Sequence, residues 1–489
     1  ERMRRRTRPG RGDRPWVWWR LRRTVGSEAM AMVLDRLSAD DRLVLWPDAV
    51  WPQDVGALAA LDAGNLLRAD GGFRIEEARD AVEARLHLLP RFRQVLYEPG
   101  RGLGGPLWVD SSAFDIRDHV NVVAVGPPGD EAQLLATVET LRRRRLDRSR
   151  PLWEMWFLTG LADGRVGLFV RLHHVVADGI AGVAAVAALL DVVPDAVSPL
   201  PHPWTPAARP SRSRLFIDNL RIRVGGVARA VSALRHPIDL SRRVRHGWPA
   251  LRELLATEPG PVTSLGRLIG TGRNLALVRS SLGHMKAIAH AHDATINDVL
   301  LAATAGGVRR LLQSRGESVQ NLSVPIYVPV SLRLEPGAGP EGGNLISQMV
   351  IPLPVGESDP AARLRQIGLE SATRKTLPRA ALGGVFRNKL IAGVLLKFIA
   401  RQRVNLVSAD LPGPPVALYF GGAQVREVFP LVNLLGTVSL GVAALSYAAT
   451  FNIMVVADAD AYPDLEVFAT GVRDDLGALA ATARSAIGA

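Results

Sequence analysis

Two observations predict an α/β protein with two domains. Segments typical of strands alternate with segments typical of helices on both sides of a proline-rich stretch at residues 197–214. That alternation is found in proteins whose helices cover their sheets. The chain has 489 residues, of which 47% are hydrophobic and 22% charged, so it is long and apolar enough for two cores.

The chain divides into four expected segments. Residues 1–29 form a basic extension that we expect to be disordered, because ten arginines stand there among three acidic residues without any helical or strand period. Residues 30–195 form an N-terminal domain, and residues 196–259 form a proline-rich linker with a basic helical region. Residues 260–489 form a C-terminal domain.

The N-terminal domain is expected to contain short strands and two helices before its most informative motif. A first helix ends at Pro90, since proline does not continue a helix. The remaining predicted elements are strands at Gln94–Tyr97 and Leu107–Val109 around a glycine-rich loop, a helix at Glu131–Arg143, and strands at Pro151–Leu158 and Gly167–Leu172.

The motif His173-His174-Val-Val-Ala-Asp178-Gly179 follows the last of these strands and precedes an apolar helix. Successive strand side chains point to opposite faces, so one histidine is expected to face a reaction channel and the other to pack inward. Asp178 is expected to orient the loop across a tight turn that ends in Gly179, a residue that tolerates positive φ. Histidine is the side chain best suited to accept a proton near neutral pH.

The linker and the C-terminal domain contain fewer sequence patterns that predict structure. Residues 215–255 read as a basic, partly amphipathic helical region, which we interpret as a bridging helix with solvated arginines; contact with membrane phosphates is the alternative. Thr295 or Asn297 is expected to cap a long helix. The prolines at 325 and 329 indicate an edge or irregular strand at Val324–Leu332. The uncharged residues 429–457 fit two buried strands joined by a turn better than a membrane helix.

Composition and motifs exclude several kinds of chemistry. The absence of cysteine removes disulfides, thiolate metal sites and cysteine nucleophiles. No GxSxG, HExxH or Walker motif occurs, and adjacent histidines on one strand do not bind one metal ion easily. Seven of the thirteen net positive charges fall in residues 1–28, and no nucleic-acid fold signature accompanies the arginines. No signal peptide is apparent, so a cytoplasmic location is expected. Of the mechanisms considered, general-base catalysis by a histidine is the one that the sequence still supports.

Several segments together resemble the bacterial wax ester synthase and diacylglycerol acyltransferase family of HHxxxDG acyltransferases. These segments are the histidine motif, Pro151-Leu152-Trp153, Asn297-Asp298, the strand at Val328–Arg333 followed by Gly343-Asn344, and Leu411–Pro414. The resemblance covers residues 30–489. It implies two domains of chloramphenicol-acetyltransferase-like fold, with a central tunnel at their interface.

The resemblance also implies residue roles. His174 is expected to be the general base, His173 a supporting residue, and Asp178 a structural residue paired with Arg333. Residues expected to line or support the tunnel are Pro151, Leu152, Trp153, Asn297, Asp298 and Asn344. The substrates implied are a long-chain acyl-CoA and diacylglycerol or a fatty alcohol, without a metal or other cofactor. Peripheral attachment to the inner membrane or to lipid droplets is expected.

Two other functions compete with this interpretation. A peptide-synthetase condensation domain shares HHxxxDG and would act on carrier-bound thioesters, but its early Arg-His-Glu motif is not apparent. A nucleic-acid binder would use the terminal arginines and the run Arg142–Arg145. One departure from the family pattern concerns Asp410, which stands where the family usually has asparagine.

Overall fold

The computed structural model describes residues 34–197, 199–235, 260–331, 346–376 and 403–487. Two six-stranded mixed sheets and one small antiparallel pair run through these residues. In spatial order, the strands of the first sheet are β11 (Tyr419–Phe420), β12 (Ala423–Leu431), β1 (Asp54–Leu61), β6 (Val166–His173), β5 (Trp153–Thr159) and β4 (Val120–Ala124). Only β4 and β5 pair in parallel in this sheet.

The second sheet is built from the C-terminal half of the chain. In spatial order, its strands are β7 (Arg273–Ser281), β14 (Thr450–Asp458), β13 (Leu440–Tyr447), β10 (Leu406–Pro412), β8 (Val324–Ser331) and β9 (Ile346–Leu353). Strand β10 pairs in parallel with both β13 and β8, and the other pairs are antiparallel. The small pair consists of β2 (Gln94–Tyr97) and β3 (Leu107–Asp110).

Helices cover both sheets. Those of the first half are α1 (Ala39–Leu45), α2 (Ile75–Glu83), α3 (Glu131–Arg143), α4 (Gly179–Ala187) and α5 (Arg212–Arg235). Those of the second half are α6 (Leu282–Ala291), α7 (Ile296–Ser314), α8 (Pro360–Lys375) and α9 (Leu465–Ile487). No helix in the described ranges has both the length and the apolar character needed to span a membrane.

Helix α7 is the centre of the second core. It is buried at every position from Asp298 to Val308, as expected for a helix that is apolar around its whole circumference. Gly307 lets α9 approach closely, because a Cβ there would lie 2.8 Å from Val472 and 2.9 Å from Phe468. The two helices therefore pack nearly backbone to backbone at this point.

The two sheets also pack against each other through a shared cluster of buried side chains. Leu58 and Phe169 contribute from the first sheet, and Leu277 and Met454 from the second. Phe429 of β12 joins the same cluster. Strand β12, which lies in the segment assigned to the C-terminal domain, thus completes the first sheet beside β1. Strand β12 therefore runs from the C-terminal segment into the first sheet. The predicted domain bounds stay a prediction.

Most predicted elements are confirmed, and the exceptions have physical reasons. The helix at Glu131–Arg143 and the strands β2 and β3 lie where expected. Helix α2 ends at Glu83 and two short 3₁₀ turns follow, so the prediction of a helix up to Pro90 is wrong. Strand β8 is not an edge strand, because β9 lies outside it. Its prolines supply no N–H, and it pairs with β10 at only two positions.

Three further expectations concern residues outside the described ranges. They are the disorder of residues 1–29, the roles of Arg333 and Asn344, and the helical region beyond Arg235. The expected pair of uncharged strands is confirmed in β13 and β14, which form an antiparallel hairpin.

Candidate active site

The histidine motif lies at the end of β6, between two neighbouring strands. In the antiparallel register, His173 stands opposite Asp54 of β1, and Leu172 stands opposite Trp153 of β5. The backbone N–H of His173 donates to the carbonyl of Leu152 (2.9 Å), and that of His174 donates to the carbonyl of Gln53 (2.8 Å). Both histidines are therefore held by main-chain bonds from either side.

His173 is buried, with 2% of its surface exposed. Its Nδ1 accepts a hydrogen bond from the backbone N–H of Val175 (3.1 Å). Because Nδ1 is an acceptor, the ring proton belongs on Nε2, and Nε2 lies 3.2 Å from Oδ1 of Asp48. The Val175 bond sets the tautomer, and the carboxylate of Asp48 lies close enough to attract the Nε2 proton. The supporting role of His173 stays a prediction.

Asp48 belongs to the site although no pattern in the sequence predicted it. It is buried in a 3₁₀ turn, and its carboxylate accepts from the backbone N–H of Gln53 (3.0 Å) and from Nη2 of Arg148 (2.7 Å). Burial alone would raise the pKa of Asp48, but His173, Gln53 and Arg148 together lower it well below its usual range. Nothing in the local sequence sets this aspartate apart, because its partners come from distant segments.

A second buried charge network lies next to His173. Arg171 is 1% exposed and donates to Glu154 (2.8 Å) and to the carbonyl of Arg144 (2.5 Å), with Asp54 at 3.6 Å. Burial raises the pKa of Asp54, and the charge of Arg171 opposes that effect. Gly56 lies opposite Arg171, and a Cβ there would approach the Val170 carbonyl to 2.1 Å.

The basic run at residues 142–145 has intramolecular partners. Arg145 donates to the carbonyls of Asp48 (2.7 Å) and Ala49 (2.9 Å), and Arg142 pairs with Glu139. The two bonds of Arg145 hold the turn that carries Asp48. Arg142 and Arg145 are thus engaged by groups of the protein itself.

His174 differs from its neighbour in both exposure and charge environment. Solvent reaches part of this residue although its Nδ1 is buried, whereas His173 is covered. Burial of the imidazole lowers the pKa of His174, while the nearby charges of Asp178 and Asp41 act in the opposite direction. A lowered pKa keeps the imidazole neutral near pH 7, and a neutral imidazole can accept a proton.

Asp178 and Gly179 begin helix α4. The Asp178 side chain caps the helix by accepting from the backbone N–H of Ala181 (2.9 Å). Gly179 is the first helical residue and does not have a positive φ, so the expected role in a left-handed turn is wrong. Its small size matters instead, because a Cβ there would lie 3.0 Å from Cδ2 of Leu411 in β10. The pairing of Asp178 with Arg333 stays a prediction.

The Pro151-Leu152-Trp153 segment is buried beneath the motif. Leu152 packs in a small cluster with Val175, the residue after His174. The Trp153 indole donates to the carbonyl of Phe92 (2.9 Å) and stacks on His119 with ring centres 4.6 Å apart. These contacts indicate support of the histidine loop, and a tunnel lining by this segment stays a prediction.

Asn297 and Asp298 lie at the start of α7. Thr295 is the N-cap, and Asp298 completes a capping box by accepting from the Thr295 backbone N–H (2.9 Å) and hydroxyl (2.6 Å). Of the two caps considered, Thr295 is therefore confirmed. Asp298 shapes the helix start, and Asn297 is partly exposed one position before it.

A cleft of about 230 Å³ lies between the sheets, toward the other end of β6 from the histidines. Arg279 lines it and pairs with Glu131 (2.7 Å) and Glu427 (2.8 Å). Among the described residues, no group of three or more histidine, cysteine, aspartate or glutamate side chains is arranged to hold a metal ion.

Comparison with known proteins adds two family matches. Residues 37–300 match the wax ester synthase/diacylglycerol acyltransferase catalytic domain, and residues 342–480 match the WS/DGAT C-terminal domain. A relative in Mycobacterium tuberculosis, the probable diacylglycerol O-acyltransferase tgs1, is 31% identical over 452 residues, which cover 88% of this chain and 94% of that protein.

Two solved structures have a similar fold. A wax ester synthase/diacylglycerol acyltransferase from Marinobacter aquaeolei VT8 superimposes with a TM-score of 0.65 at 22% identity, covering 92% of this chain and all of that one. The starter condensation domain of rhizomide synthetase gives a TM-score of 0.58 at 14% identity, covering 92% and 95%. The expected α/β fold with two acyltransferase-like domains is confirmed, whereas the tunnel stays a prediction.

Proposed function

Because the chain belongs to the wax ester synthase/diacylglycerol acyltransferase family, we propose that it transfers a long-chain acyl group from acyl-CoA to the hydroxyl of a lipid alcohol. Diacylglycerol as acceptor yields triacylglycerol, and a fatty alcohol yields a wax ester. The observation that carries this proposal is the contrast within the histidine pair: His173 is buried and fixed, while His174 is partly exposed with a lowered pKa.

In the proposed reaction, neutral His174 accepts the proton of the acceptor hydroxyl as its oxygen attacks the thioester carbonyl. A C–O bond forms, the C–S bond breaks, and the CoA sulfur leaves with the proton returned by His174. No covalent enzyme intermediate and no cofactor take part, and acyl-CoA is a co-substrate. General-base catalysis of this kind contributes about 10²- to 10⁴-fold to a rate.

His173 and Asp48 are positioning residues in this proposal. The fixed ring of His173 accepts from the backbone N–H of Val175 and so holds the turn immediately after His174. The Asp48 carboxylate keeps that ring in one orientation. The carbonyls of Leu152 and Gln53 accept from the backbone N–H groups of His173 and His174 and hold the main chain of the pair. Such support keeps a catalytic base within reach of its proton.

Condensation-type transfer between carrier-bound thioesters is the alternative. The fold likeness to a condensation domain is compatible with it. The two family matches favour the acyl-CoA reaction, since together they cover most of the chain from residue 37 to residue 480. We further propose that the protein works at a lipid surface, because diacylglycerol and long-chain alcohols reside in membranes and lipid droplets.

The absence of cysteine allows a direct test. Purified full-length protein is mixed with palmitoyl-CoA and either diolein or hexadecanol in detergent micelles. A thiol reagent then reports released CoA without background from the protein, and chromatography identifies the ester. We expect ester and CoA from the parent and from His202→Ala, an exposed histidine stacked on His87. We expect neither from His174→Ala.

Two results would contradict the proposal. Equal activity of His174→Ala and the parent would exclude His174 as the base. Failure of both acceptors, together with transfer from a carrier-bound thioester, would favour the condensation reaction.

A further inference from the structure

Helix α5 carries a stripe of apolar side chains that face solvent. Its members are Phe216, Ile217, Leu220, Val224, Val227 and Val231, which are between 41% and 64% exposed. At 3.6 residues per turn, all six fall within an arc of about 100°. Large apolar side chains collected on one exposed face commonly mark an interaction surface.

Arginines border this stripe on both sides. Arg214 and Arg221 lie along one edge, and Arg212 and Arg223 lie along the other, as the same helical periodicity shows. All four are exposed. An apolar stripe flanked by cations is the pattern of helices that lie in the membrane interface.

The opposite face of α5 attaches the helix to the rest of the protein. Leu215 is fully buried, and Asp218 forms an ion pair with Arg36 (2.6 Å). The Asn219 amide donates to the carbonyl of Gly102 (2.8 Å). The apolar stripe therefore faces away from the contacts that hold the helix.

The anchor of α5 is connected to the histidine loop. Arg36 precedes Leu37, and Leu37 packs in the same small cluster as Val175, the residue after His174. The described chain thus links the exposed helix to the proposed base through the Arg36–Asp218 ion pair and this shared cluster.

We propose that the apolar stripe of α5 and its arginines dock the protein on the surface of an anionic phospholipid bilayer. The apolar side chains enter the boundary between headgroups and acyl chains, and the arginines contact phosphates. A second copy of the chain fits this face poorly, since the arginine borders would meet each other. A nucleic acid would leave the apolar stripe in contact with charged phosphates.

The docking surface rests on the proposed function only for its purpose, which is to bring the site to a lipid acceptor in the membrane. Binding is therefore measured without turnover. Because the chain has no cysteine, Val227→Cys and Ile222→Cys each give one labelling site. Ile222 is a matched control: it is 48% exposed but lies on the other side of α5.

Each variant is labelled with an environment-sensitive fluorophore and mixed with vesicles of phosphatidylcholine with or without phosphatidylglycerol. We expect a blue shift and a gain in intensity at position 227 with anionic vesicles only, and no shift at position 222. An equal response at both positions, or no response at position 227, would overturn the proposal.

Affinity for the same vesicles provides a second measurement. Leu220→Asn/Val227→Asn should weaken binding about tenfold or more, whereas Ile222→Asn should not. Arg221→Gln/Arg223→Gln should also weaken binding at least about tenfold and reduce its salt dependence. Unchanged affinity in these variants would disprove the assignment. A lower sedimentation coefficient of the Leu220→Asn/Val227→Asn protein than of the parent, measured without vesicles, would also disprove it. That result would show that the stripe binds a second copy of the chain.

Ester synthesis in detergent micelles distinguishes the docking surface from the proposed function. If vesicle binding fails while ester synthesis in detergent continues, only the docking surface is wrong. If ester synthesis fails while vesicle binding follows the expected pattern, the docking surface stands and the proposed function falls.

Discussion

Nε2 of His173 lies 3.2 Å from Oδ1 of Asp48, and the same carboxylate is held by Arg148 and by the backbone of Gln53. The contact joins the end of β6 to a 3₁₀ turn formed more than a hundred residues earlier in the chain. It connects the orientation of the histidine loop to a buried, ionised aspartate.

Asp48→Asn should lower kcat by between tenfold and about a hundredfold, with little change in KM for either substrate. The amide keeps the size of the side chain but loses the charge that orients His173. Steady-state kinetics with both substrates measures the effect. The control is Asp62→Asn, which breaks an exposed ion pair with Arg426. A rise in KM at constant kcat would assign Asp48 to substrate binding instead.

The activity should depend on the protonation of His174. Burial lowers the pKa of His174 from its ordinary value of 6.5, so the neutral base is present at pH 7 and above. We expect kcat/KM to be flat from pH 7 upward and to fall with a midpoint below 6.5. The profile is measured with the CoA-release assay. A midpoint above 6.5 would contradict the assigned environment of His174.

Gly179→Val should destabilise the protein by about 1–3 kcal/mol, because the added side chain meets Leu411 of β10. Leu411→Ala makes room, so the double variant should lose less than the sum of the two single variants. Urea unfolding measures all three. Gly182→Val is the matched control, since the nearest atom to a Cβ there is Leu172 Cδ2 at 3.9 Å. Strict additivity would show that Gly179 and Leu411 do not constrain each other.

Asp410→Asn should stabilise the protein at neutral and alkaline pH. Burial raises the pKa of Asp410 from 3.8 to about 6, so the folded protein holds the proton more tightly than the unfolded chain does. The parent therefore loses stability as the pH rises from about 4 to about 6, and the loss persists above that range. Each pKa unit corresponds to about 1.4 kcal/mol, so the variant should gain roughly 2–3 kcal/mol at neutral pH.

Thermal or urea unfolding at about pH 4 and about pH 8 measures this difference. The gain should be present at the higher pH and absent at the lower one. Asp195→Asn, at an exposed position, serves as the control. A gain of equal size at both pH values would attribute the effect to packing rather than to ionisation.

The sequence predicted those parts of the site that depend on local periodicity. The sequence predicted that His173 and His174 face different surroundings, and the structure shows one buried and one partly exposed residue. Because β6 ends at His173, the turn that follows, and not strand alternation, sets His174 apart. The cap at Thr295 follows from its side chain and from Asp298 three residues later. These features need only neighbours in the chain, which is why a single sequence reveals them.

Long-range pairings were not predictable in the same way. Asp48 contacts His173 only because a turn and a strand far apart in the chain meet. The prolines of β8 left open whether it is an edge or an irregular strand, and only the fold shows that β9 lies outside it. The apolar stripe of α5 became visible only when its anchoring face was known, since Leu215 and Phe216 are equally apolar in the sequence.

The position of β12 beside β1 has a consequence for biosynthesis. Residues 54–61 leave the ribosome long before residues 423–431 are made, so β1 lacks one of its two neighbours during most of translation. Its free edge is then available to wrong partners, as unpaired strand edges commonly are. A nascent chain stopped before residue 423 should therefore resist proteolysis less than the finished protein does.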